Sequence, residues 1–144
     1  MPGKSPLGYN GEMDEPSGKD KFDQFVHDLG HSGLVASLDE TIRAFHERPR
    51  DQDNSQDDRT NLGGWLIGQN VLTYWQFTKL CNGQWRDFFL DEYKLLDHLA
   101  VGEAHSYYLA EKTEKGGRVA LRITPRARSK TPYKTEYVVV AEFA

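Results

Sequence analysis

Trp65, Trp75 and Trp85 all fall between Asn61 and Ala100, together with five of the chain's fourteen other aromatics. Side chains of that size are mostly buried, so this stretch is the expected core and the more charged sequence around it is what the core supports.

Its first half reads as a helix, capped at Thr60 or Asn61 and stopped by Asn82-Gly83, a pair suited to the left-handed turn after a helix. At about 100° per residue, Leu62, Trp65, Leu66 and Leu80 share one side while Ile67, Val71, Tyr74 and Trp75 fall on the others. A helix apolar all round is covered all round. Gly63, Gly64 and Gly68 each weaken it by roughly 1 kcal/mol relative to alanine, which points to close approach of another element. The β-branched and aromatic run Val71 to Phe77 leaves a strand open as the alternative. In the second half Trp85, Phe88, Phe89, Leu96 and Leu99 recur at helical spacing with charged residues opposite. They predict an amphipathic helix ending near Val101-Gly102, and with it a tryptophan-rich helical hairpin.

A chain of 144 residues with 38% hydrophobic content is sized for one domain. A single cysteine, Cys81, excludes an internal disulfide and reads as packing. No apolar run approaches the roughly 18 residues of a membrane span, and the start lacks an apolar signal region, so the expected location is cytoplasmic. Residues 1–19, with three prolines and little apolar content, read as a flexible tail before a domain spanning 20–144.

Within that domain, Phe22, Phe25, Val26 and Leu29 predict a short amphipathic helix between Asp20 as N-cap and Gly30 as stop. A second helix is expected from about Gly33 to Glu47, burying Val35, Leu38, Ile42 and Phe45. If it starts later, Ser37 and Glu40 form an S-x-x-E capping box. After Gly102 the period falls toward two. Strands are expected over Ala104 to Lys112, Arg118 to Thr124 and Lys134 to Phe143, with Lys115-Gly116-Gly117 turning the first hairpin. The last strand is apolar on both faces from Tyr137 to Ala141 and reads as the central or best-covered one. The expected fold is therefore α+β: about four helices, two in the tryptophan-rich hairpin, on a C-terminal three-stranded antiparallel sheet.

The net charge of −4 conceals an asymmetry: residues 1–60 carry 7 Lys+Arg against 13 Asp+Glu, whereas residues 101–144 carry 8 against 5. Between Lys115 and Lys134 lie seven basic residues and no acidic one. Arg118, Arg122, Arg126, Arg128, Lys130 and Lys134 could follow phosphates, with Tyr107, Tyr108 and Tyr133 stacking on unpaired bases. The plainer reading is a sheet edge guarded by charge, and overall acidity argues against nonspecific nucleic-acid binding. Glu92 falls within the apolar face of the predicted second core helix, where a desolvated carboxyl could serve as general acid or base, with His105 or Arg122 nearby. A slightly rotated helix, or an arginine partner, is the plainer account.

Other patterns are weaker. Asp51, Asp53, Ser55 and Asp57 resemble the first ligands of a calcium loop, but Gln56 and Leu62 replace the required glycine and glutamate. His27 and His31 have metal spacing, with His46 and Asp23 as possible additions, but no H-E-x-x-H pattern or cysteine cluster accompanies them. Gly63 to Gly68 lacks the lysine and hydroxyl of a phosphate loop. No metal or cofactor is expected. With no convincing catalytic constellation, the favoured class is a non-catalytic protein-binding module, such as an inhibitor, immunity-type protein or accessory subunit, working by charge and shape. A nucleic-acid-associated protein is the alternative, and a small enzyme using Glu92 the remote one.

Overall fold

The computed structural model describes residues 17–51, 53, 57–125 and 135–143. Four N-terminal helices pack on a C-terminal five-stranded antiparallel sheet that curls into a half-barrel. The α+β expectation holds, with the helices and strands apportioned differently.

Helix α1 (Gly18–Ser32) begins at Ser17, whose hydroxyl accepts from the Asp20 amide at 3.1 Å, and ends at Gly33, where φ is +81°. The cap is thus Ser17 rather than Asp20 and the stop Gly33 rather than Gly30; Ser17 to Lys19 belong to the helix start, and the rest of the expected tail lies outside the described residues. Helix α2 (Leu38–Glu47) takes the later of its two expected starts, with the Ser37 hydroxyl accepting from the Glu40 amide. The long helix expected over 60–82 is two: α3 (Asp58–Gly68), capped by Asp57, and α4 (Tyr74–Cys81), capped by Thr73. They part at Asn70, which takes φ +61°, and the predicted stop at Asn82-Gly83 holds, with Gly83 at φ +75°. Val71 to Phe77 forms no strand.

The expected helix over 85–99 is absent. Its residues form β1 (Phe89–Leu90), a turn at Asp91-Glu92 and β2 (Tyr93–Val101). The reason for the misreading is local. β2 carries register shifts between Leu95 and Asp97 and between His98 and Ala100, and each inserted residue breaks the period of two. The inserted residues are Leu96 and Leu99, which stand three apart and so imitate helical spacing. The helical hairpin dissolves with that helix: Trp65 sits on α3, Trp75 on α4, and Trp85 in the segment before β1.

Strands β3 (Ser106–Lys112), β4 (Arg118–Thr124) and β5 (Glu136–Phe143) complete a meander in the order β1-β2-β3-β4-β5. In a flat sheet β2 and β5 would lie about 14 Å apart. Here the rings of Tyr93 and Tyr137 meet at 5.7 Å, and the Tyr137 hydroxyl donates to the Asp91 carboxylate at 2.7 Å. Those contacts, made over the heads of β3 and β4, define the curl. Burial divides into a helical cluster around Phe25, Leu29, Leu62, Leu66 and Leu80, and a sheet cluster around Tyr93, Leu95, Ala110, Val119 and Leu121. Trp75 packs against both.

Candidate functional site

Two features lie on the open side of this half-barrel. The first is a cavity of about 690 Å³ between α4, residues 83–90 and the concave face of the sheet. Trp75 forms its inner wall, edge-on to Phe88 and to Tyr108 at 5.8 Å each. Lys79, one turn further along α4, holds its ammonium 5.6 Å from the Trp75 ring. Arg86 lays its guanidinium 4.3 Å over Trp85. Among the described residues neither cation forms an ion pair, although Asp87 also lines the cavity. Leu95 and Ile123 contribute the strand wall, and burial pushes the Tyr108 phenol up from its ordinary pKa. Asp87 takes φ +70°, a conformation that aspartate accepts more readily than most residues.

The second feature is β5, which corrects the expectation of a central strand: it is an edge. Val138, Val139, Val140 and Phe143 are 49%, 38%, 47% and 49% exposed. A register shift opposite Ala120 and Leu121 adds one residue to β5, and only Glu136 and Glu142 carry charge along it. The apolar run was legible. What it meant was not, because a run apolar on both faces describes a covered central strand and an uncovered edge equally well.

The residues singled out by sequence are scattered. Arg118 is exposed and stands opposite Glu111 and Phe143, while Arg122 stands between Tyr107 and Val138. Arg126, Arg128, Lys130, Tyr133 and Lys134 lie outside the described residues. Tyr108 turns to the concave face and packs on Trp75, so it is not a stacking platform beside Arg122. Glu92 occupies the exposed β1–β2 turn, where its backbone carbonyl accepts from the Thr113 amide and hydroxyl. The desolvated helical face that its catalytic reading required does not exist. His105 is at the far end of β2 from it, roughly 30 Å of strand away, bonded to Thr124.

Of the calcium-like run, Asp53 pairs with Arg48 and Asp57 caps α3. Ser55 lies outside the described residues. The His27 and His31 rings stack at 4.2 Å, and His31 Nδ1 donates to the His27 carbonyl at 2.8 Å. Gly63 to Gly68 is helix interior, not a loop.

Sequence reasoning missed Lys79 and Arg86. The signals were present, since Lys79 follows Trp75 by one helical turn and Arg86 follows Trp85 directly, but the misassigned second helix put Arg86 on a solvent face. It also missed a polar group where α1 meets α3 and α4, beside a cavity of about 440 Å³. There Asp28, 2% exposed, accepts from Gln24 Nε2 at 2.9 Å, and the Arg59 Nε is buried without a partner among the described residues. Burial pushes the neighbouring Cys81 thiol up, against the lowering influence of Arg59.

The class defined by these features is an α+β half-barrel with an aromatic cavity and an apolar edge strand that is unpaired on its outer side among the described residues. No family model, curated protein or solved structure matches the chain. Among the described residues no helix is long and apolar enough to cross a membrane.

Proposed function

We propose that the protein is a non-catalytic binding module whose β5 edge takes an extended segment of a partner protein as an additional strand. The observation that carries this reading is the exposure of Val138, Val139, Val140 and Phe143 on an eight-residue edge strand. Isolated sheet edges of that length ordinarily carry lysine, proline or inward charge near the middle as protection. From Tyr137 to Ala141 there is none, and the inserted residue in β5 is the one protective device. Main-chain pairing supplies affinity in such complexes, and alternate side chains supply selectivity. Glu142 already faces Lys112 of β3 at 3.9 Å, so the complementary segment is set by the apolar centre of β5 and is itself apolar in the middle.

The test is photocrosslinking in the native host with p-benzoylphenylalanine placed at Phe143, and at Tyr74 as an exposed control on α4. The expected result is a nuclease-resistant adduct to another protein from position 143 and not from 74. Val138→Lys/Val140→Lys weakens it about tenfold or more, since each loss at a packed interface costs on the order of 1 kcal/mol. Val138→Thr/Val140→Thr, which keeps the strand's β-branched shape, should weaken it in the same direction. Equal adducts from both positions, or indifference to both variants, would sink the reading. Products that dissolve with nuclease would replace it by nucleic-acid binding through Arg118, Arg122 and their neighbours, and an adduct at twice the chain's own mass would replace it by self-association.

A further inference from the structure

The cavity between α4 and the sheet has a chemistry that strand addition at β5 does not use. Its volume of about 690 Å³ falls within the range of small-molecule sites. Its walls are flat and aromatic: Trp75, Trp85, Phe88 and Tyr108 all border the space. Two cations border it as well. Lys79 and Arg86 are each held against an indole rather than against a carboxylate, and among the described residues no salt bridge neutralises either. A cation held on a ring face beside this mixed aromatic and polar cavity retains most of its capacity to attract an anion, because the ring offers a quadrupole and not a countercharge. Asp87 offsets one of the two, which leaves a single positive charge in excess.

We infer that this cavity binds a small planar aromatic monoanion, its ring against Trp75 and Tyr108 and its carboxylate or sulfonate between Lys79 and Arg86. Aromatic walls favour a flat apolar body by offset or edge-on packing. The two bordering cations select the anionic group, a charge-assisted interaction stronger than its neutral equivalent.

The probe is 8-anilinonaphthalene-1-sulfonate, compared with its uncharged analogue N-phenyl-1-naphthylamine, both titrated into the full chain and followed by energy transfer from tryptophan. The inference expects saturable one-to-one binding of the sulfonate, about tenfold or more tighter than that of the neutral analogue. Lys79→Gln/Arg86→Gln removes that advantage and leaves the neutral analogue within about twofold of its original affinity. Ile123→Trp fills the cavity and weakens both probes. Should that variant prove misfolded by circular dichroism, Tyr108→Ala, which removes a ring from the same wall, is read instead. Val138→Lys/Val140→Lys leaves both probes unaffected, which separates the cavity from the β5 edge and from the partner reading above. Equal affinity for the two probes, sulfonate binding that survives Lys79→Gln/Arg86→Gln, or loss of binding in the β5 variant would each overturn the inference.

Discussion

At Gly63 a hydrogen stands where any other residue would place a Cβ 2.0 Å from the Phe77 ring, so α3 and α4 approach as closely as they do because that side chain is missing. One turn-position away, Gly64 faces open space. The pair makes a controlled comparison. Gly63→Ala should lose about 1–3 kcal/mol in urea unfolding from overpacking. Gly64→Ala should gain up to about 1 kcal/mol from helix propensity alone. Equal stabilities would show that Phe77 yields freely. The three glycines together signalled close approach of another element, but not that Gly63 alone makes it, since contact depends on α4, whose direction is set by the break at Asn70. Tyr137 offers a second residue-scale test. The hydrogen bond to Asp91, with burial second, pushes its phenol up to about 12. The folded state holds that proton more tightly than the unfolded chain does. The contribution is therefore complete below about pH 10 and is lost as pH rises from about 10 to about 12. Ultraviolet titration should find one tyrosine ionising near 12, and Asp91→Asn should bring it back toward 10.

At the scale of elements, α4 joins the two halves through its first turn. Gln76, buried, accepts from the Thr73 amide with Oε1 and donates from Nε2 to the Leu95 carbonyl at 2.8 Å, while the Thr73 hydroxyl donates to the Leu96 carbonyl. One side chain thus closes the capping box of a helix and satisfies a strand at its bulge. Gln76→Leu should cost about 1–3 kcal/mol in denaturant unfolding, because the Leu95 carbonyl then stays buried without that donor. Tyr74→Ala, two residues earlier and 70% exposed, should stay within about 0.5 kcal/mol of the parent. A Gln76→Leu loss no larger than that of Tyr74→Ala would mean that water replaces the amide. The Thr73–Gln76 box was readable in principle, as it has the T-x-x-Q form. It went unread because the apolar run across Val71 and Leu72 argued for one unbroken helix. β4 matched its expected bounds because its alternation is uninterrupted, whereas β2 was taken for a helix on account of its two inserted residues.

For the molecule as a whole, the α+β class followed from a change of period near Gly102, and that signal places helices first and strands last whatever the exact count. The count of strands and the position of β5 were beyond it, because both depend on which strand has a neighbour on its far side. The aromatic cavity was likewise hidden: its walls come from α4, the segment before β1, and four strands, brought together only by the curl. That curl is secured between Tyr137 and Asp91, which are 46 residues apart in the chain. Every strand pairing in the meander joins sequence neighbours, so the ladders can form by a succession of local closures. Tyr137 to Asp91 is the long closure that remains after them. On loop-closure entropy alone, the hairpins are favoured to close first and the sheet to roll up last. Until that closure brings Tyr137 over the sheet face, Val119 and Leu121, fully covered in the finished protein, lack part of their cover and stand open to intermolecular contact.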